Sequence, residues 1–110
     1  MFSHNLLIGY NFYRCFHMNG DSSSDKERTL KDARQILMQI AHDLNTPRNI
    51  RRAARDALRE LENTELSLAL RAANAIDILQ EITDDPQIPT FARTAILEAI
   101  SLLDLIAKED

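Results

Sequence analysis

The sequence predicts an all-α protein in which two tandem helical hairpins form a compact four-helix bundle. Three observations lead there. Apolar residues recur at spacings of three and four over four separate stretches, which is the periodicity of a helix face. Glycine (2) and tryptophan (0) are scarce while Leu, Ala, Ile, Arg, Glu and Asp abound, a soluble helical composition. The chain also repeats itself at a period of 42 residues. Ala33, Ile36, Leu37, Ile40, Asp43, Pro47, Arg51, Ala53, Ala57 and Leu61 recur without a gap as Ala75, Ile78, Leu79, Ile82, Asp85, Pro89, Arg93, Ala95, Ala99 and Leu103. A regular internal period marks one supersecondary unit used twice.

Residues 1–23 differ from the rest. The first 17 hold five of the six aromatic residues, the single cysteine and two of the three histidines. Their start is uncharged and polar residues interrupt the apolar run, so a secretory signal does not fit. The expectation is that translation begins at Met18 and that 1–23 is an extension outside the fold. The alternative is a short arm packing its aromatics on the helices. Residues 24–107 form the single domain, and 108–110 a tail.

The first helix is expected over 25–42, opened by a capping box at Ser24 and Glu27 in which both side chains satisfy free backbone N–H groups. Leu30, Ala33, Leu37, Ile40, Ala41 and Leu44 share its inner face. A turn follows, with Thr46 as N-cap and Pro47 at the first helical position, where a missing N–H costs nothing. The second helix covers 47–62, and its inner stripe (Ile50, Ala53, Ala54, Ala57, Leu58, Leu61) is rich in alanine, which permits close approach. The third helix, 65–83, is apolar over half its circumference and is expected at the centre. After a second turn at Asp84–Pro89, the fourth helix runs to residue 107 with Ala92, Ala95, Ile96, Ala99, Ile100, Leu103 and Ile106 inside. Leu97 and Leu105 point away from that stripe.

The pattern of Asp, Pro, Arg and Ala in each repeat resembles a HEAT-type helical hairpin, whose repeats run about 40–47 residues. That resemblance implies that Asp43 and Arg51, then Asp85 and Arg93, tie neighbouring repeats together, and the retention of Arg51 and Arg93 in both copies suggests that each holds its loop or pairs with its Asp. A closer resemblance covers 30–106. The motif PRNIRRAA at Pro47, RAANAIDIL in the third helix and DPQIPTFART around Pro89 are, in that order, similar to uncharacterised protein family 0147, a group of small archaeal helical proteins. The resemblance implies the fold and brings no activity with it.

Candidate sites are few. Arg48, Arg51, Arg52, Arg55 and Arg59 form a row on the outer side of the second helix, and an arginine-bearing helix can track phosphates. Asp56, Glu60 and Glu62 share that helix, Arg52 is spaced to pair with Asp56, and no aromatic is interleaved for base stacking. The second repeat keeps only Arg93, so a solvated face is the plainer reading. The net charge of −4 also disfavours nucleic acid and anionic membrane as general partners. Cys15, His17 and His4 lack the paired spacing of a zinc site, and Asp84 and Asp85 lack that of a calcium loop. His42 has no nucleophile or acid at a motif spacing. Both glycines fall in the N-terminal segment, so no phosphate-cradling loop is present. No cofactor and no enzymatic activity are expected.

One cysteine suits a reducing compartment, no apolar run approaches the ~20 residues of a membrane span, and a cytoplasmic location follows. The functional expectation is a non-enzymatic module that binds another protein or itself. Leu97, Leu105 and the broad apolar arc of the third helix favour a homodimer. The alternative is an RNA- or ribosome-associated protein that binds through the Arg48–Arg59 face.

Overall fold

The computed structural model describes residues 22–108, all helix or turn with no strand among them. The aromatic N-terminal segment, the Met18 start, the Cys15–His17 pair and the last two residues lie outside this range, and so does the side chain of the proposed capping Ser24. Four helices follow in order: α1 (Ser22–His42), α2 (Arg48–Leu61), α3 (Leu68–Thr83) and α4 (Thr90–Ala107). Helix α1 begins three residues before the position expected, because serine is tolerated in a first turn at a cost of only a few tenths of a kcal/mol, roughly.

Each helix packs against its neighbours in the chain, and α4 packs back on α1. Among the described residues the backbones of the diagonal pairs, α1 with α3 and α2 with α4, do not approach closely. The bundle is therefore a closed ring of four, and α3 occupies a corner like the others rather than the centre. Ring closure follows from the repeat: the α2–α3 seam and the α4–α1 seam are the same pairing of unlike helices from opposite hairpins. An approximate twofold relation between hairpins satisfies both seams at once, much as an isologous dimer does.

The core is aliphatic. Leu37, Ile50, Leu61, Leu79, Ile96, Leu103 and Ile106 are its largest buried side chains, and Ala33, Ala54, Ala57, Ala72, Ala75 and Ala99 fill the close approaches between them. Leu102 is buried too, beside the stripe that periodicity assigned to α4. Leu44 departs from expectation: it is 82% exposed. Helix α1 stops at His42, and the turn that follows carries Leu44 off the inner face.

The two turns are built alike. In the first, Asp43 N–H donates to Ile40 O (3.3 Å), Thr46 N–H to Asp43 O (3.0 Å), Asn45 N–H to Asp43 Oδ1 (2.9 Å) and Arg51 N–H to Pro47 O (3.0 Å). In the second, Asp85 N–H donates to Ile82 O (3.1 Å), Ile88 N–H to Asp85 O (3.1 Å), Gln87 N–H to Asp85 Oδ1 (2.8 Å) and Arg93 N–H to Pro89 O (2.9 Å). All four bonds recur 42 residues on. In both, an Asp side chain takes the N–H two residues later, which is the Asx-turn mechanism. Pro47 (φ −57, ψ 151) and Pro89 (φ −66, ψ 152) stand at the N-cap, so α2 begins at Arg48, one residue after the first helical position expected for Pro47. Their extended ψ and fixed φ make that position the hinge into the helix. Thr46 does not cap α2; it is buried, and its hydroxyl donates to Asp43 Oδ2 (3.2 Å).

The α2–α3 connection works differently. Asn63 accepts from Glu65 N–H (3.2 Å), and Ser67 caps α3 by accepting from Leu70 N–H (3.2 Å). Helix α3 thus starts at Leu68 rather than 65. Arg71 reaches back across the turn, donating from Nη1 to Leu61 O (2.9 Å) and from Nε to Leu66 O (3.2 Å). It satisfies a terminal carbonyl of α2 that the helix itself leaves open.

Candidate interaction surfaces

The outer surface is divided by helix. On α2, Arg48, Arg52, Arg55 and Arg59 are all exposed. Spacings of 4, 3 and 4 confine them to a stripe about 60° wide, because 3.6 residues make a turn. Arg51 stands off that stripe, half-buried, with its Nε buried and without a hydrogen-bond partner. Asp56 pairs with Arg59 (3.2 Å) and not with Arg52 as the four-residue spacing suggested. Arg52 instead borders a cleft of ≈ 330 Å³ between α2 and α3, together with Asn49, Asp56, Ile78, Glu81 and Ile82.

Arg51 and Arg93 do not hold the turns through Asp43 and Asp85. Each carboxylate is turned onto its own loop, and among the described residues neither is ion-paired with those arginines. The loop-capping role belongs to the aspartates alone. Asp85 also accepts, through Oδ2, from Nδ2 of Asn49 at the start of α2. This bond joins the second hairpin to the first.

The repeat-equivalent cleft lies between α1 and α4, measures ≈ 170 Å³ and is lined by Ile36, Gln39, Ile40, Asp43, Phe91 and Ala95 among others. Ile36, Gln39, Ile40, Phe91 and Ala95 stand 42 residues from Ile78, Glu81, Ile82, Asn49 and Ala53 of the first cleft. One seam therefore carries a hydrogen bond between hairpins where the other carries an aromatic side chain. Phe91 (47% exposed) replaces the hydrogen-bonding Asn49, and Asp43 is satisfied by Thr46 instead.

Helix α4 presents an uncharged row on its outer face. Thr90, Thr94, Leu97 and Ser101 are exposed along it. Leu97 is 48% exposed, as its position off the inner stripe implied, whereas Leu105 is half-buried at the edge. Lys108 and Asp104 pair at the far end (3.2 Å). Among the described residues no group of three or more His, Cys, Asp or Glu side chains converges to hold a metal ion, and no helix is long and apolar enough to cross a membrane. His42 ends α1 with Nδ1 2.8 Å from Met38 O.

Residues 17–106 match the Uncharacterised protein family (UPF0147). The chain belongs to UPF0147. A UPF0147 protein of Sulfurisphaera tokodaii is 49% identical over 82 residues, which cover 74% of this chain and 92% of that one. A UPF0147 protein of Aeropyrum pernix is 47% identical over 83 residues, 76% of this chain and 91% of the relative. The fold is similar to the crystal structure of a protein from UPF0147 of Thermoplasma acidophilum, with TM-score 0.71 at 28% identity, covering 74% of this chain and 95% of that chain. It is also similar to the crystal structure of the "unknown function protein MMP1188", with TM-score 0.70 at 41% identity, covering 77% and 93%. UPF0147 membership thus agrees with the all-helical bundle.

Two residues of this UPF0147 chain that sequence reasoning missed are Arg71 and Asn49. Both act across a turn or between hairpins, on partners 10 and 36 residues away. Their one sequence signal is that each breaks the repeat: Arg71 aligns with Thr29, 42 residues earlier, and Asn49 aligns with Phe91.

Proposed function

We propose that this UPF0147 chain is a non-enzymatic protein-interaction module, a small cytoplasmic scaffold, and that the outer face of α4 is the surface it presents. In this reading the hairpins are HEAT-like units closed on each other instead of extended into an array. The observation that supports it is the uncharged row Thr90, Thr94, Leu97, Ser101 with Leu97 half exposed, on a molecule whose neighbouring helices carry charge outward. Exposed apolar side chains that share a face mark protein-binding surfaces, and interface centres are depleted of charge. The test is affinity capture of the tagged full chain from archaeal lysate after nuclease treatment, alongside a Leu97→Glu variant. A protein retained by the parent and lost by the variant supports the reading, and identical captures defeat it.

The second reading is nucleic-acid binding through Arg48, Arg52, Arg55 and Arg59. The four exposed guanidiniums in one narrow stripe favour it. A helix rising 1.5 Å per residue spreads them over about 16 Å, a span that reaches several phosphates of one strand. RNA affinity should then fall linearly in log–log fashion with salt, and replacing Arg48, Arg52 and Arg55 by Gln should abolish it. Salt-insensitive capture that survives this triple replacement removes the reading.

A further inference from the structure

We infer that the outer face of α4 receives a second copy of this chain, through an antiparallel twofold packing of α4 on α4. The inference rests on the reading of α4 as the working surface and names its partner. Three pairs of residues on that face carry it. Arg93 and Asp104 are eleven positions apart, so they lie about 20° from each other around the helix, on one flank of the face. Phe91 and Leu105, fourteen apart, lie about 40° from each other on the opposite flank. Leu97 and Ser101 occupy the middle.

In an antiparallel pair related by a twofold axis, residue i of one copy meets residue j of the other, and j meets i. The midpoints of the three pairs fall at 98.5, 98 and 99 along the chain. One axis crossing α4 at the level of Glu98 and Ala99 therefore satisfies all three together. It sets each Arg93 beside the other copy's Asp104, each Phe91 beside the other copy's Leu105, and each Leu97 over the other copy's Ser101. Cation meets anion on one flank and apolar meets apolar on the other, each twice. The small hydroxyl side chains Thr94 and Ser101 permit a close approach in the middle.

The positions of the charges suit this pairing. Arg93 is exposed, and among the described residues no ion pair holds it, so its guanidinium is available. Asp104 and Lys108 form a surface pair with side chains 49% and 74% exposed, which leaves a carboxylate oxygen open to a second cation. Glu98 lies on the Phe91 flank near the axis and is half-buried with an interaction inside its own chain. Its charge opposes its copy and, with a single helix pair as the contact, keeps the association weak; stable interfaces bury about 1,200–2,000 Å².

The experiment is sedimentation analysis of the full chain from micromolar to near-millimolar concentration, beside Leu97→Glu, Arg93→Asp, Asp104→Arg and the double variant Arg93→Asp/Asp104→Arg. Circular dichroism checks that each is folded, which the exposure of these positions favours. The expected result is a mass rising from one 12.6 kDa chain toward two as concentration rises. Leu97→Glu and each single charge reversal should weaken the dimer by about tenfold or more, equivalent to ~1.4 kcal/mol, and the double reversal should restore it. A chain that stays monomeric throughout, a dimer that survives Leu97→Glu, or a double reversal that restores nothing overturns the inference. If the chain is monomeric and Leu97→Glu still loses a captured protein, the interaction reading survives while self-pairing fails.

Discussion

Nδ2 of Asn49, one residue into α2, donates to Oδ2 of Asp85 in the α3–α4 turn, and this single bond ties the two hairpins together at their turn end. Asp85 meanwhile accepts from its own loop through Oδ1. One carboxylate therefore shapes a turn and fastens it to the other repeat. A double-mutant cycle of Asn49→Ala with Asp85→Ala should give a coupling of about 0.5–1.5 kcal/mol, the net value of such a bond. Pairing Asn49→Ala with Asp43→Ala should give none. Equal couplings in the two cycles would show that the contact carries no specific weight.

Arg71 and Arg93 provide a contrast between a staple and a surface charge. Arg71→Met removes two hydrogen bonds to backbone carbonyls and leaves a terminal carbonyl of α2 open; the expected cost is ~2 kcal/mol. In urea this reads as a lower midpoint with an unchanged slope. Arg93→Met, at concentrations where the chain is monomeric, should stay within about 0.5 kcal/mol of the parent, as surface substitutions do. A larger loss for Arg93→Met would reinstate a structural role for that residue.

Thr29 on α1 is fully buried, and its hydroxyl has no hydrogen-bond partner. Valine has nearly the same shape without the unsatisfied oxygen. Thr29→Val should therefore stabilise the fold by ~1 kcal/mol, which for a domain of this size raises Tm by about 4–8 °C. A fall in Tm would mean that the hydroxyl has a partner in solution.

Leu44 and Leu37 separate exposure from hydrophobicity. Leu37→Ala empties a fully buried site in the α1 core and should cost roughly 2–5 kcal/mol. Leu44→Ser, at an 82% exposed position, should change stability by less than about 0.5 kcal/mol. Thermal melts of the two variants under one condition decide this. A destabilised Leu44→Ser would place that side chain in the core after all.

The repeat made much of this architecture legible. Asp43 and Asp85 could be placed at turns because an Asp two residues before a free N–H is a local motif, and both prolines marked helix starts to within one residue. The inner stripes of all four helices were readable from spacing, since burial follows helical phase. Phase does not say where a helix ends, so Leu44 fell on the right angle of a helix that had already stopped. The partners of Arg51 and Arg93 were misjudged for a related reason. Spacing put an arginine near each Asp, while the carboxylate had closer N–H donors in its own loop. Ring closure was also beyond periodicity, because an apolar arc records that a helix is covered and not which helix covers it. For the candidate surfaces, the arginine row and Leu97 were visible as outward positions. The divergence of the two clefts appeared only once the seams were compared.

The ring has one further consequence, for the order of the hairpins along the chain. Because α1 and α4 run antiparallel and pack together, the start of α1 and the end of α4 lie at the same end of the bundle, the end that also holds the 62–67 connection. The two seams between hairpins pair the same kinds of helix, although Asn49 in one stands where Phe91 stands in the other, so either hairpin could come first in the chain without changing which helices pack. Cutting the chain at Asn63–Thr64 and joining Lys108 to Ser22 with a short flexible link would produce a cyclic permutant that reads α3, α4, α1, α2. It would bury the same core, since chains tolerate rejoining where their ends lie close together. What the native connection adds is the turn at Asn63, which accepts from Glu65 N–H through Oδ1 and from Leu66 N–H through its carbonyl across the cut, and the loosening of that turn is the stability difference to expect between the two orders.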